Sequence, residues 1–162
     1  MNIELLKNIP KAINKLHRNI IPIYARGSYI LDSNNKKYLD LTSGIGALST
    51  GHCHPYITEK VREQVGNYVH IQQQIFGTHP VQLELNKKLL QTMPHKKLNN
   101  IFYVNSGSEA IDNAIKISRC HTSKPNIISM RRAFHGRSIG ALSITSSNLS
   151  VKKKSHPLIP GT

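Results

Sequence analysis

The sequence predicts an α/β fold, and three observations carry that prediction. Ile101, Phe102, Tyr103 and Val104 form a short apolar run with the length and the β-branched or aromatic content of a buried strand. A polar break, Asn105 to Ser108, leads into Ala110, Ile111, Ala114, Ile115 and Ser118, which recur at helical spacing and leave one small, apolar face. A second strand-like run, Asn126 to Met130, is again followed by a Gly-bearing turn, Ala133 to Ser138. Strand, tight turn and helix is the repeating unit of an α/β sheet.

Taken in order, residues 1–22 read as an amphipathic helix and a loop ending at Pro22. Ser28 to Asp32 and Lys37 to Leu41 are two strands about the turn residues Ser33-Asn34-Asn35-Lys36. Residues 42–54 are rich in Gly and Ser and read as a loop. Pro55 suits a first helical position, and Ile57, Val61, Val65, Tyr68 and Val69 mark the apolar face of a helix ending near His70. His70 to Gly77 mixes polar and apolar residues without a period. Val81, Leu85, Leu89 and Met93 give a further helix, with Glu84 and Lys88 as an i,i+4 pair and Pro94 as its stop. Gly140 to Ser143 continue a short helix, and residues 145–162 read as a loop.

The richest chemistry lies at residues 105–119. Ser106 and Glu109 fit a capping box, Glu109 and Asp112 suit the positive end of a helix, and Lys116 and Arg119 suit the other end. Such a turn aims free backbone N–H groups at one point, which is a seat for an anion. Gly107 allows close approach, and the Ser108 hydroxyl adds a donor. Taken alone, such a pattern is more often a plain connection than a phosphate site.

Composition excludes several classes. The 162 residues can bury a core, and no apolar run approaches the roughly 20 residues of a membrane helix. The first residues lack the continuous apolar segment of a secretory signal, and Glu4 and the absence of Ser argue against a mitochondrial transit peptide. Cys53 and Cys120 read as reduced thiols. His52-Cys53-His54 reads as a turn before Pro55, because three adjacent side chains cannot face one metal ion. Lys and Arg number 22 against 8 Asp and Glu, a net charge of +14. The basic residues are scattered, with clusters only at Arg131-Arg132 and Lys152 to Lys154. No interleaved aromatic pattern accompanies them, so the sequence lacks a nucleic-acid motif.

Four ordered motifs bring in a resemblance: Leu41-Thr-Ser-Gly-Ile-Gly46, Thr50-Gly-His-Cys-His-Pro55, Asn105-Ser-Gly-Ser-Glu-Ala110 and Ala133-Phe-His-Gly-Arg-Ser138. From about Ile23 to its last residue the chain resembles the class III (ω-amino acid) aminotransferases, pyridoxal-phosphate enzymes of fold type I. The resemblance implies an N-terminal segment, residues 1–54, contributing to a small domain. It also implies the first part of a cofactor-binding large domain with a mostly parallel sheet, residues 55–162. It assigns Gly107 and Ser108 to the cofactor phosphate, Phe134 to stacking on the pyridine ring, Arg137 to the substrate carboxylate and a supporting role to His135. Substrate and dimer contacts are implied around residues 70–77.

In the family's order, the lysine that forms the Schiff base and the Asp that meets the ring nitrogen lie beyond residue 162. The expectation is therefore an N-terminal fragment that has no catalytic lysine and is inactive alone. The implied reaction moves an amino group from an ω-amino acid to a 2-oxo acid, in a cytoplasmic homodimer or with a complementary fragment. The wording of the motifs leans towards 4-aminobutyrate as donor, with acetylornithine or ornithine as the alternative. A non-catalytic pseudogene or split-gene product is the rival reading, and a basic nucleic-acid binder is a more distant one.

Overall fold

A computed structural model describes residues 8–10, 20–147 and 149–162 of the chain. It comprises two compact units, one ending at Thr78 and the other beginning at His79. In chain order the elements are β1 (Pro22–Arg26), β2 (Tyr29–Asp32), β3 (Lys37–Leu39), α1 (Ser43–Gly46), α2 (Pro55–Asn67), α3 (Gln73–Phe76), α4 (Pro80–Thr92), α5 (Gly107–Thr122), α6 (Ile139–Ile144) and α7 (Leu149–Lys153). The helix expected within residues 1–22 falls almost wholly outside the described residues.

The first unit is built on an antiparallel sheet of order β1-β2-β3. The expected hairpin is present as β2 and β3, paired from Tyr29 with Leu39 to Leu31 with Lys37. Asp32 is the reason the turn holds. It is 2% exposed, and its carboxylate accepts the N–H groups of Asn34 and Lys36 and the Tyr38 hydroxyl. Asn35 takes the left-handed conformation, which asparagine tolerates well. The sequence reading ended a loop at Pro22, whereas the structure begins a strand there. Proline is accepted as the first residue of an edge strand because no ladder N–H is needed from it.

The Gly- and Ser-rich stretch after β3 is wound about Asp40. The Asp40 carboxylate accepts the Thr42 hydroxyl at 2.6 Å, the Thr42 N–H at 2.9 Å and the Ser43 N–H at 3.0 Å. Its other oxygen lies 2.8 Å from His52 Nε2. Gly27 and His52 also exchange backbone hydrogen bonds, and Gly51 sits so close to Gly27 that no side chain would fit there. His52 thus closes a loop on Asp40, and Cys53 turns through a positive φ. Among the described residues, no group of three His, Cys, Asp or Glu is placed to hold a metal ion. Pro55 opens α2 as expected, but the apolar stripe of Ile57, Val61 and Val65 stays exposed.

In the second unit α4 starts at Pro80, with His79 as its cap, and carries the expected Glu84–Lys88 pair at 2.8 Å. The buried centre is small: Ile115 of α5 packs with Ala141, Leu142 and Ile144 of α6, beside Ser143 and Thr145. Two expectations are corrected here. Residues 101–104 and 126–130 carry no strand pairing, because no second strand lies alongside either among the described residues. A strand needs a partner as well as suitable residues. Ile128 is 96% exposed and Met130 is exposed as well.

Residues 145–162 are also more ordered than a loop. They include α7, whose Lys152 ammonium donates to the Ser143 carbonyl, and they return across the unit. On that return the Ile159 N–H donates to Ser143 Oγ, the Arg119 guanidinium to the Pro160 carbonyl and the Ile127 N–H to the Gly161 carbonyl. No helix among the described residues is long and apolar enough to cross a membrane.

Candidate functional site

The predicted turn before α5 forms, and its cap is local chemistry. Ser106 is extended, and its hydroxyl accepts the Glu109 N–H at 3.2 Å. The Glu109 carboxylate reaches back to the N–H of Asn105 at 2.7 Å, one residue earlier than the standard capping box. The N–H groups of Gly107 and Ser108 have no acceptor among the described residues, and they sit at the positive end of a 16-residue helix. Gly107 has no left-handed φ, so the turn does not depend on glycine for its backbone. Its value is room, because nothing lies within 4 Å of where a side chain would start.

The second predicted turn is fastened to the first. The Arg137 N–H donates to Ser108 Oγ at 3.1 Å. Gly136, at a φ of 137°, lies so close that a Cβ would overlap Ser108 Oγ. One helical turn further along α5 the arrangement repeats. Asp112 Oδ1 accepts the Ala141 N–H at 2.6 Å, and Gly140 leaves no room for a side chain against the same carboxylate. Ser138, at the cap position of α6, makes no capping bond of its own. Asp112 therefore caps α6 from a neighbouring helix, with a negative charge at its positive end.

Thr145 completes the support. Its buried Oγ1 accepts the His135 N–H at 3.0 Å and lies within 3.2 Å of the carbonyls of Gly136 and Ala141. The Ala133 carbonyl accepts the N–H groups of Ser146 and Ser147. Anchors thus fall on residues 133, 135 and 137, while Phe134 between them stands 63% exposed and the Arg137 side chain is exposed too. His135 points elsewhere. It lines an apolar cavity with Ile111, Ile115, Ile127 and Met130, and its Nε2 is buried with no partner among the described residues.

Ser108 and Arg137, two of the residues singled out from sequence, are therefore in direct contact. Gly107 adjoins Ser108, and Phe134 projects from the fastened loop. Sequence reasoning missed Asp112 as a cap for α6, and it missed Thr145, Gly136 and Gly140. A signal was present: glycines at 136 and 140 share the four-residue spacing of Ser108 and Asp112. That is the mark of two segments in close approach.

Residues 12–162 match the family model for aminotransferase class-III. The chain is 37% identical over 143 residues to an acetylornithine aminotransferase from Bacillus anthracis, covering 88% of this chain and 36% of that protein. It is 32% identical over 148 residues to a 5-aminovalerate aminotransferase from Pseudomonas aeruginosa, covering 89% of this chain and 34% of that protein. Among solved structures it superposes on an adenosylmethionine-8-amino-7-oxononanoate aminotransferase from Methanocaldococcus jannaschii with a TM-score of 0.76 and 29% identity. That match covers 84% of this chain and 32% of the other. The chain thus spans about a third of the length of these relatives, and its fold is part of the fold-type-I α/β architecture. With the family match over residues 12–162 and these relatives, the chain belongs to the class-III aminotransferases, a family of pyridoxal-phosphate enzymes.

Proposed function

We propose that this chain supplies the phosphate- and ring-binding part of a pyridoxal-phosphate-dependent aminotransferase. The observation that carries the reading is the pair of N–H groups at Gly107 and Ser108, which have no acceptor among the described residues, beside a serine hydroxyl and an open approach. These are the donors a phosphate requires, and the residues present fit the group. Gly107 and Ser108 would hold the phosphate, and the exposed face of Phe134 offers a flat apolar partner to the ring. The exposed Arg137 guanidinium suits a substrate carboxylate. The cofactor, when bound, serves as an electron sink for a carbanion beside the amine. The residues of this chain bind and orient. The proton-transferring lysine expected for the family is not among the residues assembled at the turn.

For the donor, the relatives favour acetylornithine over the 4-aminobutyrate suggested by the motif wording, since several are named acetylornithine aminotransferases and one a 5-aminovalerate aminotransferase. The proposed reaction moves the terminal amino group of acetylornithine or a similar ω-amine to a 2-oxo acid. Two measurements test this. Calorimetry with pyridoxamine 5′-phosphate and with pyridoxamine asks whether binding requires the phosphate; equal affinities would remove the phosphate seat. Turnover of acetylornithine, ornithine, 5-aminovalerate and 4-aminobutyrate with 2-oxoglutarate, once this chain is combined with the lysine-bearing part of the family fold, ranks the donors. A preference for 4-aminobutyrate would overturn the donor assignment alone.

A further inference from the structure

We infer that Ser108 is a latch shared by two functions: its oxygen fixes the loop carrying Phe134 and Arg137, and its proton remains for a phosphate at the start of α5. Anion binding and placement of that loop are then coupled. The inference rests on the phosphate seat proposed above and adds to it the residue through which the seat reaches the substrate side.

A hydroxyl carries one proton and two acceptor positions. The Ser108 oxygen accepts the Arg137 N–H at 3.1 Å, and its own proton has no acceptor among the described residues. Accepting that bond sets the orientation of the hydroxyl before any ligand arrives, which lowers the cost of ordering it on binding. When an anion takes the proton, the oxygen becomes a stronger acceptor, and the bond from Arg137 tightens. The contact is close enough for this to matter, because Gly136 lies against the Ser108 side chain without room for even a Cβ. The loop is also held from behind, through Ala133, His135 and the Gly136 carbonyl, which lies 3.2 Å from Thr145 Oγ1, and among the described residues Ser108 is the one side chain that takes the Arg137 N–H. By thermodynamic reciprocity, whatever fixes Arg137 also strengthens the hold on phosphate.

Amide hydrogen exchange on the 162-residue chain tests the latch, read by NMR at Arg137 with Ile115 in α5 as the internal reference for folding. Pyridoxamine 5′-phosphate and inorganic phosphate are expected to slow exchange at Arg137 by about tenfold, whereas pyridoxamine leaves it unchanged. Ser108→Ala is expected to weaken phosphate affinity at least severalfold and to abolish the ligand-dependent slowing while Ile115 stays protected. Gly136→Ala keeps the hydroxyl but pushes the loop away, and is expected to give fast exchange at Arg137 with or without ligand. If the phosphate ligand binds and Arg137 does not respond, or if either variant retains the response, the latch is wrong and the phosphate seat stands. If the unaltered chain binds neither phosphate ligand, the seat itself falls, and the latch with it.

Discussion

Thr145 shows what a single buried hydroxyl does in this molecule. It accepts the His135 N–H and lies against two carbonyls in a spot where water cannot replace it. Thr145→Val keeps the shape and removes those bonds. It is expected to cost about 1–3 kcal/mol and to speed amide exchange at His135; an unchanged unfolding midpoint would show that the loop is held without it. Ser106→Ala removes a solvent-facing cap instead, and a loss of about 1 kcal/mol in chemical denaturation is expected. The two residues also differ in how readable they were. Ser106 announces itself, because its partner is three residues away and the pattern is local. Thr145 has partners four to ten residues back, on a loop whose course depends on α5, so nothing adjacent to it in sequence gives its role away. Arg137 lies between these cases: its type suited a carboxylate, but only the fold reveals that its backbone is tied to Ser108.

Among the elements, the hairpin was readable and the parallel strands were not. The turn residues at 33–36 specify the hairpin of β2 and β3 locally, whatever the rest of the chain does. Residues 101–104 and 126–130 have strand composition, but pairing is a relation between segments, and neither finds a partner strand among the described residues. The hairpin and the loop that follows it also set an acid limit. Asp40 is held below the usual carboxylate range by the Thr42 hydroxyl, His52 and the Ser43 N–H. At Asp32 burial pushes upward, but the Lys36 and Asn34 N–H groups, the Tyr38 hydroxyl and the Lys36 charge outweigh it, so this carboxyl is lowered too. Both therefore bind protons more weakly folded than unfolded. Their stabilisation is complete above the unfolded value of about 3.9 and drains as pH falls below it. Urea unfolding followed by tyrosine fluorescence at successive pH values should show that decline, and Asp40→Asn should flatten it. A decline of the same steepness in the variant would mean that Asp40 does not set the limit.

At the scale of the whole chain, the apolar surface left open dominates. Ile128, Met130 and Phe102, the α2 stripe, and Val81 and Leu85 of α4 are each exposed, and among the described residues no backbone–backbone bond ties residues 101–104 to another segment. Such edges pair with other chains. The 162-residue polypeptide alone is expected to self-associate in sedimentation velocity and to show no transamination above that of free cofactor. A stable monomer at micromolar concentration would show that these faces are tolerated in water. Glutamate formation from an ω-amino donor would show that the chain needs no further segment. The return of residues 159–161 across the second unit bears directly on how these faces could be covered. The Gly161 carbonyl receives the Ile127 N–H, so Thr162 leaves the fold beside the open run that contains Ile128 and Met130. A polypeptide fused after Thr162 starts its path at that edge and meets it at an effective concentration set by only a few residues of tether, in the millimolar range for short linkers. The same polypeptide added in solution must find the edge by diffusion and compete with other copies of the chain for it.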